Sequence, residues 1–154
     1  MQVAGNVLDA RVIIVPINLS NHWLLTTLDL QEHIVRFYDS LKFPMDEIVK
    51  NLCIWVQHTA ATSIGPVQKW SLQPSTVWKA ARMDVPFQGD TTECGMFLLS
   101  TALSLTAGGP IQSTLQDMPR LRVQFAHWLL SSSVPAAAGK PCHEEPFTNA
   151  AGEL

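Results

Sequence analysis

The sequence predicts a single α+β domain, in which a group of strands is followed by a group of helices. Two observations lead to this prediction. Residues 11–41 contain three successive strand patterns, rich in β-branched and aromatic side chains. Apolar residues then recur at helical spacing over residues 44–60, 94–107 and 120–130. A chain of 154 residues can bury one core, and nothing in its composition indicates a second.

The first three strands lie close together in the sequence. The first covers Arg11 to Leu19, and its apolar run Val12 to Val15 is typical of a centrally buried strand. The next two cover residues 21–30 and 33–39, with only Gln31-Glu32 between them. So short a connection predicts a β-hairpin.

The register of this hairpin decides which side chains meet. A turn centred on its two linking residues places Leu24 opposite Asp39, so that His22 becomes the diagonal neighbour of Asp39, within side-chain reach. The same register makes Asp29 and Arg36 diagonal neighbours of opposite charge on the other face. A three-residue turn would reverse this parity and separate His22 from Asp39.

The remaining elements are predicted from the spacing of apolar residues and from the Pro and Gly residues at their ends. Residues 44–60 form a helix with Pro44 at its start and apolar residues on one stripe. Residues 64–70 read as a loop followed by a short strand. A last helix covers 120–130, with an apolar stripe that includes Leu121 and Leu129. Residues 131–154 are rich in Ser, Ala, Pro and Gly and are expected to form a disordered tail.

Cys94 lies where a polar, irregular segment meets the apolar stretch Met96 to Leu105. This position predicts a thiol at the start of a helix that ends near Gly108. Unpaired backbone N–H groups and the positive end of the helix dipole favour the thiolate there, which is the nucleophilic form. The alternative is a buried structural cysteine, because free cysteines are often simply packed in a core.

A cysteine nucleophile requires a base, a group that orients the base, and donors for the developing oxyanion. His22 and Asp39 are candidates for the first two roles. Gln88 precedes Cys94 by six residues, and its amide NH₂ could bind an oxyanion together with the Cys94 N–H. Alternatively, Gln88 is an ordinary solvated loop residue.

Composition narrows the class of protein. Ten Lys and Arg against 13 Asp and Glu give a net charge of −3, and no basic cluster suggests a nucleic-acid partner. Neither a secretory signal nor a run of membrane-spanning length is present, so no membrane association is expected. Three scattered cysteines do not form a disulfide framework, which favours a nuclear or cytoplasmic location.

No metal or cofactor is expected. The other histidines have no partner at metal-ligand spacing. Residues 142–145, Cys-His-Glu-Glu, do bring possible ligands together, but a zinc site needs four converging ones. We expect the protein to be a monomer.

Three segments carry a resemblance to a known family. They are residues 15–25, which contain His22-Trp23, residues 37–41, which contain Asp39, and residues 85–97, which contain Gln88 and Cys94-Gly95. In order and spacing they resemble the Ulp/SENP family of ubiquitin-like-protein cysteine proteases, to which the adenovirus protease is distantly related. The resemblance covers about residues 11–130.

This resemblance implies a papain-like fold with a small mixed sheet flanked by helices. It implies His22 as general base, Asp39 as orienting carboxylate, Cys94 as nucleophile and Gln88 as oxyanion-hole donor. Trp23 would form one wall of a narrow tunnel that admits a diglycine tail. The substrate would be a SUMO-type modifier, matured at its C-terminus or released from lysine.

Two departures from the family pattern leave alternatives open. Glu93 stands where members commonly have Asp, and only Met1 to Ala10 precede the first strand, where the family has a helical region with a second tunnel Trp. Residues 1–130 are therefore expected to be a catalytic domain that is N-terminally short. The alternatives are an inactive fragment or pseudoenzyme that binds the modifier, and a related thiol acyltransferase.

Overall fold

The structure is a computed structural model that describes residues 7–62, 70, 72, 75–89 and 92–131. Four strands and three helices make up its regular structure, with single 3₁₀ turns at Val7–Asp9 and Leu115–Asp117. The strands are β1 (Val12–Leu19), β2 (His22–Asp29), β3 (Ile34–Tyr38) and β4 (Lys79–Arg82), and the helices are α1 (Asp46–Thr62), α2 (Cys94–Ala107) and α3 (Met118–Ser131).

The strands form one sheet in the order β1-β2-β3-β4. The first two pairings are antiparallel and β3 pairs with β4 in parallel, so the sheet is small and mixed, as expected. A two-residue turn joins β1 to β2, and both Ser20 and Asn21 have positive φ, 47° and 68°. Short polar residues tolerate this conformation, which suits a tight hairpin. The turn makes His22 the first residue of β2.

The predicted register of β2 with β3 is confirmed. Asp29 pairs with Ile34, and Arg36 Nη1 lies 3.5 Å from Asp29 Oδ2, as the diagonal arrangement requires. The carboxylate of Asp29 also accepts hydrogen bonds from the backbone N–H groups of Gln31 and Glu32. These bonds fix the turn, and the turn fixes the register along the whole hairpin.

β1 is an edge strand, so the prediction that it is centrally buried is wrong. Val12 is 42% exposed, and the continuously buried run is instead residues 24–30 of β2 and its turn. Pro16 explains the difference, because proline has no N–H for a second neighbouring strand and is found mainly at sheet edges.

Two apolar clusters hold the layers together. One face of the sheet packs against α1, where Phe37 and Leu28 meet Val56. On the other side of the molecule, α2 and α3 share a smaller cluster that contains Phe97 and Leu121. The stripe predicted on α3 is only partly buried, since Leu129 is 78% exposed. None of the helices in the described part of the chain has the length and apolar character of a membrane span.

Some predictions fall on residues outside the described ones. Residues 64–69, predicted as a loop leading to a short strand, are among them, and the fourth strand that the structure shows is β4. The predicted tail, residues 131–154, also lies outside except for Ser131, which is the last residue of α3, and the Cys-His-Glu-Glu segment at 142–145 is part of it.

Gly108 ends α2 in the left-handed conformation, with φ 66° and ψ 24°. A Cβ added there would meet no atom within 4 Å, so substitution costs only backbone strain. We expect Gly108→Ala to lower the free energy of unfolding by about 1 kcal/mol. Gly109→Ala is the matched control, because Gly109 does not have positive φ. Equal losses in the two variants, measured by urea unfolding, would contradict this account of the cap.

Candidate active site

His22 and Asp39 meet at the end of the hairpin, as the register predicts. His22 Nε2 lies 2.7 Å from Asp39 Oδ1, and both side chains are buried. His22 opens β2, whereas Asp39 follows the last residue of β3. The pair is therefore positioned by two neighbouring strands of one sheet.

Hydrogen bonds keep Asp39 ionised although it is buried. Burial alone would raise the pKa of its carboxyl group, but the net shift of the pKa is downward. The backbone N–H of Leu41, the ring of His22 and the backbone N–H of Phe43 all donate to the carboxylate and outweigh burial. Arg82 adds a positive charge, with Nη1 3.6 Å from Asp39 Oδ2.

An ionised Asp39 determines which nitrogen of His22 carries the proton. A carboxylate only accepts hydrogen bonds, so Nε2 must be the protonated nitrogen of the neutral ring. Nδ1 then carries the lone pair. It is buried and has no hydrogen-bond partner among the described residues. The ring therefore presents a proton acceptor on the side opposite Asp39.

Cys94 is the first residue of α2, which confirms the predicted helix start. The N–H groups of Met96 and Phe97 bond to the carbonyl of Glu93, whereas the N–H groups at the very start of a helix have no acceptor within it. Cys94 is a free, buried thiol at this electropositive end. Cys53, by contrast, lies on α1 and packs against the apolar core, and burial raises the pKa of its thiol.

The start of α2 lies against the start of β2. A Cβ on Gly95 would lie 3.8 Å from Trp23 Cδ1. Trp23 and Cys94 line the same cavity of about 660 Å³, together with Pro16, Leu98 and Arg122. Trp23 is 42% exposed and forms one wall of this cavity. The nucleophile candidate thus borders an open, mainly apolar space next to the residue that follows His22.

Gln88 is buried against Ser40, the residue after Asp39, and is not solvated on a loop. Ser40 Oγ donates to Gln88 Oε1 at 2.5 Å, and the Gln88 N–H donates to the Ser40 carbonyl at 3.4 Å. Because Ser40 binds the amide oxygen, the NH₂ group lies on the opposite side of the amide carbon. Gly89 follows with φ 74°, a conformation that favours glycine at this turn.

Sequence reasoning missed three contributors to the site. Ser40 positions Gln88, and its signal was its place directly after Asp39. Phe43 stacks on His22, with ring centroids 4.9 Å apart and an interplanar angle of 18°. Arg82 reaches Asp39 from β4, and no local pattern links these two distant positions.

Glu93, which precedes the cysteine, forms an ion pair with Arg122 of α3. Glu93 Oε2 and Arg122 Nη2 are 2.5 Å apart. This contact joins the start of α2 to α3, and it neutralises a carboxylate that would otherwise repel a thiolate on the next residue.

A cysteine at a helix start beside a buried His–Asp pair is the arrangement of the papain-like cysteine proteases. The particular family follows from comparison with known sequences. The profile of the Ulp1 protease family, C-terminal catalytic domain, matches residues 3–131. The chain belongs to this family.

Individual relatives agree with this assignment. The chain is 28% identical over 121 residues to Sentrin-specific protease 3 of Mus musculus, with 78% of this chain covered. It is 30% identical over 113 residues to Sentrin-specific protease 5 of Homo sapiens, with 72% of this chain covered. The matches cover only 20% and 14% of those two relatives, so the chain corresponds to a small part of their length.

Solved structures show the same fold. The C-terminal Ulp1 protease domain, solved in complex with Smt3, the yeast ortholog of SUMO, superposes with a TM-score of 0.64 at 25% identity. The match covers 82% of this chain and 55% of that one. A SUMO protease Ulp1 with its catalytic cysteine oxidised to a sulfenic acid gives a TM-score of 0.65. The predicted papain-like α+β fold is confirmed.

Proposed function

We propose that the protein is a cysteine peptidase and isopeptidase that cleaves after the C-terminal diglycine of a SUMO-like modifier. One observation carries the proposal. The buried His22–Asp39 pair leaves the Nδ1 lone pair of His22 without a partner among the described residues, while the cavity that Trp23 borders is also lined by the helix-start thiol of Cys94. In the proposed roles, His22 is the general base, Asp39 orients it and Cys94 is the nucleophile.

The reaction is acyl transfer through a thioester. His22 Nδ1 takes the thiol proton, and Cys94 Sγ attacks the carbonyl carbon of the terminal glycine. The oxyanion accepts hydrogen bonds from the Cys94 N–H and the Gln88 amide. The protonated ring then gives its proton to the leaving amine, and the C–N bond breaks. Water, activated by the same nitrogen, attacks the thioester and releases the modifier as a carboxylate.

Asp39 acts throughout without changing its charge. Its contact with Nε2 keeps the ring in the tautomer with Nδ1 unprotonated, and its negative charge stabilises the imidazolium that forms after each proton transfer. The low pKa of Asp39 supports this role, because a protonated carboxyl group could not hold the ring in this way.

The names of the relatives support the substrate class. Two are sentrin-specific proteases, and a Ulp1 domain was solved with the yeast ortholog of SUMO. Trp23 is proposed as one wall of the channel that receives the modifier's tail. We further propose an intracellular location, nuclear or cytoplasmic, where a reducing environment keeps Cys94 a thiol.

Covalent labelling tests this proposal. The purified chain is incubated with SUMO-type, Nedd-type and ubiquitin probes that carry a thiol-reactive C-terminal warhead. We expect selective labelling by the SUMO-type probe, loss of labelling in Cys94→Ala, and full labelling in Cys53→Ala. Labelling that survives in Cys94→Ala would remove Cys94 from its role. A folded chain that binds the modifier without being labelled would favour the pseudoenzyme.

A further inference from the structure

Arg82, the last residue of β4, contacts Asp39 from the strand next to β3. β4 runs parallel to β3, and their register pairs Arg82 with Phe37. This pairing places the guanidinium under the loop that follows β3. Its Nη1 lies 3.6 Å from Asp39 Oδ2, and its Nη2 donates a hydrogen bond to the carbonyl oxygen of Phe43. One planar, always charged group therefore grips both ends of the segment 39–43.

Phe43 links this grip to the imidazole. Its backbone N–H donates to Asp39 Oδ2 at 2.6 Å, and its ring lies flat on the ring of His22. The stacked ring covers one face of the imidazole, while Asp39 holds its Nε2. Two contacts at right angles, one in the plane of the ring and one above it, fix the direction in which Nδ1 points.

The segment between Asp39 and Phe43 does not favour this shape by itself. Lys42 has φ 61°, which is unfavourable for a residue with a Cβ. Such a conformation persists only where surrounding contacts enforce it. The hydrogen bonds that join Phe43, the next residue, to Arg82 and Asp39 can enforce it.

We propose that Arg82 is a positioning residue, which acts through Phe43 and Asp39 to hold Nδ1 of His22 in line with the thiol of Cys94. This inference rests on the proposed function for the roles of His22 and Cys94. Arg82 is not among the residues that line the cavity bordered by Trp23 and Cys94. Its loss should therefore lower the rate of the chemical step and leave substrate binding unchanged.

The other end of the hairpin provides a matched control. Arg36 lies 3.5 Å from the buried carboxylate of Asp29, much as Arg82 lies 3.6 Å from that of Asp39. The two arginines have similar exposure, 24% and 28%. Of these two carboxylates, it is that of Asp39, the partner of Arg82, that is hydrogen-bonded to a histidine. A purely structural role predicts equal effects for the two positions, whereas positioning predicts an effect at Arg82 alone.

The experiment compares Arg82→Ala with Arg36→Ala in the full chain. With a SUMO-type precursor as substrate, we expect Arg82→Ala to lower kcat by about 10- to 100-fold, with KM within about twofold of the wild type. Arg36→Ala should stay within about twofold in both constants. Arg82→Lys should recover little, because one ammonium cannot contact both Asp39 and Phe43. Equal kcat losses in the two alanine variants would overturn the proposal.

A readout without substrate separates this proposal from the proposed function. The rate at which iodoacetamide alkylates Cys94 at pH 7, followed by mass spectrometry of its peptide, depends on the placement of His22 but not on the modifier. Slower alkylation in Arg82→Ala and Phe43→Leu, but not in Arg36→Ala, supports positioning even if no modifier is cleaved. Unchanged alkylation in both would overturn it.

Discussion

Replacing His22 with glutamine should lower kcat for cleavage of a SUMO-type precursor by at least about 10³-fold. The glutamine amide can still donate a hydrogen bond toward Asp39, so the buried carboxylate keeps a partner. It has no lone pair of comparable basicity to receive the thiol proton. The variant therefore removes the proposed base and preserves much of the local structure.

The measurement is steady-state cleavage of the precursor, with folding checked by circular dichroism. His58→Gln is the control, because His58 is an exposed residue of α1 and is not part of the site. We expect its kcat to match that of the wild type. If His22→Gln retained more than about a tenth of the activity, another group would have to be the base.

The hairpin could be predicted from sequence because its determinants are local. Only Gln31 and Glu32 separate two strand patterns, and period-two alternation then fixes which residues share a face. The His22–Asp39 contact is a direct consequence. The start of α2 at Cys94 is local as well, since a polar segment gives way there to an apolar stretch.

The contacts that Arg82 and Phe43 make with Asp39 and His22 could not be predicted, because they depend on parts of the chain that are distant in sequence or on an unusual backbone conformation. β4 is four residues long, Lys-Ala-Ala-Arg, without the β-branched side chains that identify strands. Its pairing with β3 alone brings Arg82 to Asp39. The stacking of Phe43 on His22 depends in turn on the left-handed backbone conformation of Lys42, and no turn motif in the sequence predicts that conformation.

The burial of β1 could not be predicted either, because it depends on which strands lie next to it. Its apolar run suggested burial on both sides, but the chain places it at the edge of the sheet, where Pro16 needs no partner for its nitrogen. The position of a strand within a sheet is a property of the whole topology. The sequence of one segment therefore predicts that the segment is a β-strand better than it predicts how deeply that strand is buried.

Asp39→Asn should lower kcat by about 10²- to 10⁴-fold near neutral pH. The carboxylate accepts from His22 and Leu41 through Oδ1 and from Phe43 through Oδ2. An amide has one oxygen and one NH₂, so one of these donors must face another donor. If the NH₂ faces His22, the ring reverses its tautomer and Nδ1 carries the proton. Nδ1, the proposed base, can then no longer accept the thiol proton.

Asp29→Asn is the matched control for Asp39→Asn. Asp29 is similarly buried. Burial raises its pKa, but backbone hydrogen bonds from Glu32 and Gln31, the charge of Arg11 and a side-chain hydrogen bond from Arg36 lower the pKa overall. Both substitutions should lower the free energy of unfolding by about 1–3 kcal/mol, since each leaves buried donors poorly satisfied. Only Asp39→Asn should lower kcat by more than about twofold. Similar kcat values for the two variants would exclude an orienting role for Asp39.

The same pair of variants should differ from the wild type in acid. A carboxyl group whose pKa is lowered by folding stabilises the fold above its unfolded pKa, about 3.8, and that stabilisation is lost as the pH falls through the folded value. Wild-type stability should therefore decrease below about pH 4. Each asparagine variant should lose part of this dependence, because an amide does not titrate. Urea unfolding at pH 7 and at pH 3 measures the difference. Identical pH dependence in all three proteins would show that neither carboxylate is held ionised by the fold.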